Sequence, residues 1–212
     1  MRIIRLLTVL ICGCALACAA AGCNLLGYAA HTVAGEEKVN AVYTLPQRST
    51  VVVAEKYSNP SVAAFDEEPL ARFVTEELRE HKAVAPLIDS EQVYALRTRT
   101  PYDKWQAMTT DAIGRAVGAE QVLYVNIVSC QVEVAPGSEM LRGQADVRVR
   151  LVDAKTGQTT WPEDAAGGWP VSVQTPMARR GESGTTNEAS VHMDLLRMAG
   201  ERVGRLFYSY ER

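Results

Sequence analysis

The segment from Gly143 to Asp153 constrains the fold more than any other. Ala145, Val147, Val149 and Leu151 alternate there with Asp146, Arg148 and Arg150. Strand side chains point to opposite faces with a period of two, so this pattern requires a strand with one buried and one wet face. The turn after it, Asp153-Ala154-Lys155-Thr156-Gly157-Gln158, puts a glycine where the backbone needs a positive φ. Thr159-Thr160-Trp161 then begins a partner strand. Gln121 to about Val134 reads as a long strand before it, with Ala135-Pro136-Gly137-Ser138 as the connecting turn. A meander of long strands is the frame that the other elements must join.

Upstream, Thr50-Val51-Val52-Val53-Ala54 is a continuous, largely β-branched run, which suits a strand buried on both faces. A helix is predicted from Glu68 or Pro69, with Leu70, Phe73, Val74 and Leu78 on one apolar face. Asp66, Glu67 and Glu68 sit at its positive end, and Arg79, His81 and Lys82 at its negative end. Ala83 to Ile88 reads as a short strand. Asp89 or Ser90 caps a second helix to about Arg97, with Val93, Tyr94 and Leu96 expected on the core side. Tyr102 to Met108 adds a turn or two of helix, and a further short helix starts at Thr110 or Asp111 and stops at Gly118. Near the end, Trp169 to Val173 is a candidate edge strand, Ala178 to Thr186 a polar loop, and Asn187 to about Tyr208 a long helix. This order implies an α/β fold of the α+β kind: a mixed, four- to five-stranded sheet with helices packed mainly on one face.

The amino terminus obeys different rules. Arg2 and Arg5 precede an uncharged run from Leu6 to Ala21, about 16 residues, short of the ~20 that span a bilayer. Ala20-Ala21-Gly22-Cys23 resembles the lipobox of bacterial lipoproteins. That resemblance implies an export signal over residues 1–22, diacylglycerol on the Cys23 thiol, cleavage before it, and a further acyl chain on the new amino group. Two or more chains hold a protein on a membrane where one does not, since each buried methylene contributes about 0.8 kcal/mol. Ala20 stands where the family usually has Leu, and Cys18 after Ala15-Leu16-Ala17 is a rival site; cutting there would leave a more apolar stub, which favours Cys23. Residues 23–48 read as a lipidated tether and residues 49–212 as one domain. Asn24 follows the lipidated cysteine where an inner-membrane retention signal would carry Asp, so the resemblance implies an outer-membrane protein facing the periplasm.

Removal of the signal takes away two arginines and no acids, leaving 20 basic against 25 acidic residues. An acidic balance gives no footprint for nucleic acid. Cys12, Cys14 and Cys18 leave with the signal and Cys23 carries lipid, so Cys130 has no disulfide partner and reads as a small buried hydrophobe. His31, His81 and His192 show no ligand spacing, and His31 and His81 read as solvated; no metal ligands or cofactor are expected. Ser183 within Gly181-Glu182-Ser183-Gly184 lacks the context of a nucleophile elbow. Trp161 and Phe207 read as core, whereas Trp169, Tyr208 and Tyr210 are candidates for a partner surface.

Two segments carry a further resemblance: Val117-Gly118-Ala119-Glu120-Gln121-Val122-Leu123, and Leu151-Val152-Asp153-Ala154-Lys155-Thr156-Gly157-Gln158-Thr159-Thr160-Trp161. They are similar to recurring motifs of a superfamily of bacterial envelope proteins. It includes the curli secretion lipoprotein, the penicillin-binding-protein activator lipoprotein and the amino-terminal domain of the Tol translocation protein. Glu120 replaces the usual Asp. The resemblance spans roughly Ser49 to Tyr208 and implies a non-catalytic adaptor or assembly factor that docks onto another envelope protein. A lipid or small-ligand binder is the alternative, and a hydrolase of wall material is not expected.

Overall fold

Two 14-residue antiparallel strands, β4 (Gln121–Val134) and β5 (Met140–Asp153), form the backbone of the structure, a computed structural model. It describes residues 38–56, 66–84, 86–165, 167–181 and 186–211. The signal, Cys23 and His31 lie outside these residues, as does Ser183. In β5 the alternation holds from Met140 to Leu151, with Leu141, Ala145, Val147, Val149 and Leu151 buried; Val152 beyond it is buried as well. In β4 it breaks once. Val128 is an extra residue between the pairs Ile127↔Val147 and Ser129↔Asp146, a β-bulge that leaves Val128 half exposed. The bulge inverts the phase, so that Cys130 and Ile127 pack against the same core.

On the far side of β4 lies β2 (Thr50–Lys56), parallel to it, with the two-residue β3 (Leu87–Ile88) parallel to β2. β6 (Thr159–Trp161), β7 (Trp169–Gln174) and β8 (Ala178–Arg179) all pair with β5. The sheet is mixed and seven-stranded, counting the short pieces. β8 falls in the stretch expected as a polar loop, and the strand expected from Ala83 shrinks to two residues, with Ala83 and Val84 buried in the approach.

The burial of Val51, Val52 and Val53 on both faces of β2 demands cover on each side. Two long helices, α1 (Glu67–Glu80) and α5 (Glu188–Gly204), cover the face that carries Val52, Leu123, Val125, Val147 and Val149. Three short ones, α2 (Glu91–Arg99), α3 (Tyr102–Gln106) and α4 (Thr110–Ala116), cover Val51, Val53, Val122 and Tyr124 through Leu96, Trp105 and Ile113. Tyr94, expected on the core side, is exposed, because α2 spends its inward turn on Leu96.

α5 starts at a reciprocal cap: the Asn187 side chain accepts from the Ser190 N–H, and Ser190 Oγ accepts from the Asn187 N–H. The helix stops at Gly204, earlier than the apolar periodicity suggests. Leu206 and Phe207 are still buried, but in a turn past the helix whose Leu206 carbonyl accepts the Val42 and Tyr43 N–H groups. The packed chain therefore begins before Ser49. Leu45 is 1% exposed, and Tyr43 stacks on Trp161. Residues 40–209 form one compact unit. The pairing of β1 (Lys38–Val39) with β9 (Tyr210–Glu211) belongs to a separate one.

The two motifs have structural explanations. Asp153 accepts the Lys155 and Thr156 N–H groups at 2.9 Å each and the Arg48 guanidinium at 2.9 Å. The Thr156 N–H and Arg48 hold its carboxyl down at about 2. Glu120 Oε2 accepts from the N–H and hydroxyl of Ser49, which clamps the start of β2, and these bonds lower its carboxyl below the usual range. The extra methylene relative to Asp does not prevent that contact.

Two substitutions test the packing. A Cβ on Gly200 of α5 would meet Phe73 Cβ of α1 at 2.5 Å and backbone atoms at 3.0 and 3.1 Å. G200A should therefore lose about 1–3 kcal/mol in urea denaturation despite its better helix propensity. D153N should cost about 1 kcal/mol at pH 7. The folded carboxyl lies below its ordinary value, so its contribution is full above pH 4 and fades as pH falls towards 2. The gap between D153N and the natural protein should narrow across that interval.

Candidate functional site

β7 is an edge strand. It pairs inward with β5, and among the described residues no strand pairs with its outer side. The Thr175 N–H donates to the Gly143 carbonyl, which continues the ladder and sets its phase. By the alternation of antiparallel hydrogen bonding, the odd residues of β7 bond inward. Pro170, Ser172 and Gln174 then turn their backbone groups outward. Pro170 has no N–H to offer there, and prolines are tolerated in sheets at such edges. Ser172 and Gln174 keep theirs.

A groove of about 260 Å³ runs between this strand and α5, lined by Ser172, Val173, Gln174, Met198, Glu201, Arg202 and Arg205. Met198 gives it an adaptable apolar wall, and Glu201 and Arg202 at the end of α5, with Arg205 just past it, give charges of both signs. A strand edge beside a helix is a geometry that can take an extended segment of another chain by main-chain pairing.

An aromatic stack closes the β7 start. Trp169 is 37% exposed and lies on Trp161 at 5.6 Å between ring centroids, which in turn contacts Tyr43 and the edge of Phe207. Trp161 and Phe207 are core, as the sequence suggests, and Trp169 is the member that reaches the surface.

The remaining expected site residues are dispersed. His81 stacks flat on Tyr208 at 4.0 Å, and the Tyr208 hydroxyl donates to Glu77; burial and that bond raise its pKa. The acidic trio at the start of α1 does more than complement a helix dipole. Glu67 accepts from the Lys56 N–H and from Arg97. Asp66 accepts from Lys56 Nζ at 3.2 Å and bonds His192 Nε2 at 2.6 Å. Cys130 is partly exposed and sits with Asp66 and His192, all three ligand atoms within 4.8 Å of one another. Burial, then the Asp66 charge, push its thiol up to about 12, so it is no thiolate nucleophile at neutral pH. Sequence spacing could not show this cluster, because Asp66 and His192 are 126 residues apart.

On the opposite face, the Tyr124 hydroxyl donates to Glu55 at 2.8 Å under the Arg150 guanidinium. Burial raises both acids. A cavity between β2, α1, α2 and Trp105 holds about 30 Å³, roughly the room of one water.

The two tryptophans should separate in denaturation. W161A should cost about 3–5 kcal/mol as a core truncation. W169A should cost about 1 kcal/mol, the order of one aromatic pair. Equal losses would make Trp169 a core residue.

Solved structures with a similar arrangement come from several bacteria. The PelC dodecamer from Paraburkholderia phytofirmans is 14% identical, with 81% of this chain and 96% of that one covered and a TM-score of 0.38. Lipoprotein GNA1162 from Neisseria meningitidis is 16% identical, covering 72% and 96%, with a TM-score of 0.41. The LpoB C-terminal domain from Salmonella enterica is 14% identical, covering 64% and 87%, with a TM-score of 0.33. No curated protein matches the chain. The family model described as "Peptidoglycan-synthase activator LpoB" matches residues 29–166, well over half of the sequence. The chain therefore belongs to the LpoB family of peptidoglycan-synthase activators.

Proposed function

We propose that this chain is a lipid-anchored adaptor that binds a peptidoglycan synthase in the periplasm and activates it without catalysing a reaction itself. The family match carries the reading. The chemistry of the site supports it. The open β7 edge, the α5 groove and the half-exposed Trp169 form a surface for a protein segment. The Cys130 thiol is held protonated, and Asp66 and Glu67 are engaged by Lys56, His192 and Arg97. Cys23 supplies the anchor: residues 1–22 direct export, acyl chains on Cys23 hold the protein on the outer membrane, and the following chain gives it reach. Among the described residues no helix is long and apolar enough to cross a membrane.

Two measurements test this. Mass spectrometry of the mature amino terminus should find Cys23 carrying diacylglycerol; an intact Met1 contradicts the anchor. A photo-crosslinking residue at Trp169, in the lipidated protein in cells, should capture one abundant peptidoglycan synthase. The same residue at Tyr94, on the opposite face of the sheet, should not. Equal capture from both, or only random neighbours, contradicts the docking surface.

A further inference from the structure

We propose that Asp66, Cys130 and His192 form a binding site for one divalent zinc-like cation, independent of the docking surface. Each ligand comes from a different element: Asp66 from the cap of α1, Cys130 from β4 past its bulge, and His192 from the second turn of α5. Three local features bring them together. The β4 bulge turns Cys130 to the face of the two long helices. The Asn187–Ser190 cap fixes where α5 begins, and hence where His192 points. The other Asp66 oxygen, Oδ2, is held by Lys56 Nζ at 3.2 Å, which leaves Oδ1 facing His192.

The donor set suits the ion. A thiolate, an imidazole nitrogen and a carboxylate oxygen are all zinc ligands, and the sulfur selects against magnesium and calcium. In a tetrahedral site with Zn–S about 2.3 Å and Zn–N or Zn–O about 2.0–2.1 Å, ligand atoms stand roughly 3.3–3.7 Å apart. The donor atoms lie within 4.8 Å of one another, with Asp66 Oδ1 and His192 Nε2 at 2.6 Å, so that pair opens and any wider pair closes by about an ångström or less to reach that geometry. The Asp66 side chain is 12% exposed and that of His192 28%, so the cluster is sheltered but not sealed, and water can complete the shell. Lys56 acts as an outer-shell partner that orients the carboxylate. Binding removes the thiol proton of Cys130 to solvent as the metal–sulfur bond forms.

The alternative is a latch made only of the Lys56–Asp66–His192 hydrogen bonds, with Cys130 beside it. Cobalt titration of the full detergent-solubilised chain, in a non-thiol reductant, distinguishes the two. One equivalent of Co2+ should give tetrahedral d–d absorption and a thiolate-to-cobalt charge-transfer band, both displaced by Zn2+. C130S should lose the charge-transfer band, and H192Q should bind at least about tenfold more weakly. Zn2+ should raise the thermal midpoint of the natural chain and leave that of C130S unchanged. No charge-transfer band at one equivalent, or the same spectrum in C130S, overturns the proposal; the first readout needs no variant to fold.

Discussion

The β4–β5 ladder is the constraint on which the rest of the structure depends. Thirteen residue pairs join the two strands, interrupted only at Val128. Its two faces must both be covered, because β4 joins β2 and the Val51–Val53 run to a sheet buried on each side. That requirement recruits α1 and α5 to one face and α2 to α4 to the other. The ladder's far side leaves β7 at the margin, where nothing in the described chain completes its hydrogen bonding. A core-forming strand pair and an open edge thus come from the same topology.

Much of this was legible in the residues. β4 is bounded where the apolar run and the Ala135–Ser138 turn place it, and β5 follows its alternation. Gly118 and Gly157 take the positive φ that a helix stop and a tight turn need. Other features rest on distant contacts that local pattern does not encode. Residues 40–48 look like tether because they lack periodicity, yet Leu45 and Tyr43 complete the core beside Trp161. The apolar periodicity of the last helix runs on through Leu206 and Phe207, although the helix ends at Gly204 and a turned tail buries both. The short helices on the second face were visible as segments, but the face they cover was not. The Asp66–Cys130–His192 cluster needed the phase of a bulge, which a one-residue insertion in a run of Val, Ile, Ser and Cys does not announce.

The family motifs prove to be fasteners. Glu120 ties the strand after Gly118 to the start of β2, and Asp153 ties the β5–β6 turn to Arg48. They hold neighbouring strands together at one end of the sheet. The proposed recognition surface lies on β7 and α5.

Hydrogen–deuterium exchange of the full chain with and without a purified peptidoglycan synthase tests this most directly. The account predicts that the Ser172 and Gln174 amides, which face outward in the free protein, become protected in the complex together with the exposed side of α5. Binding that protects other regions and leaves β7 exchanging at its free rate would contradict it.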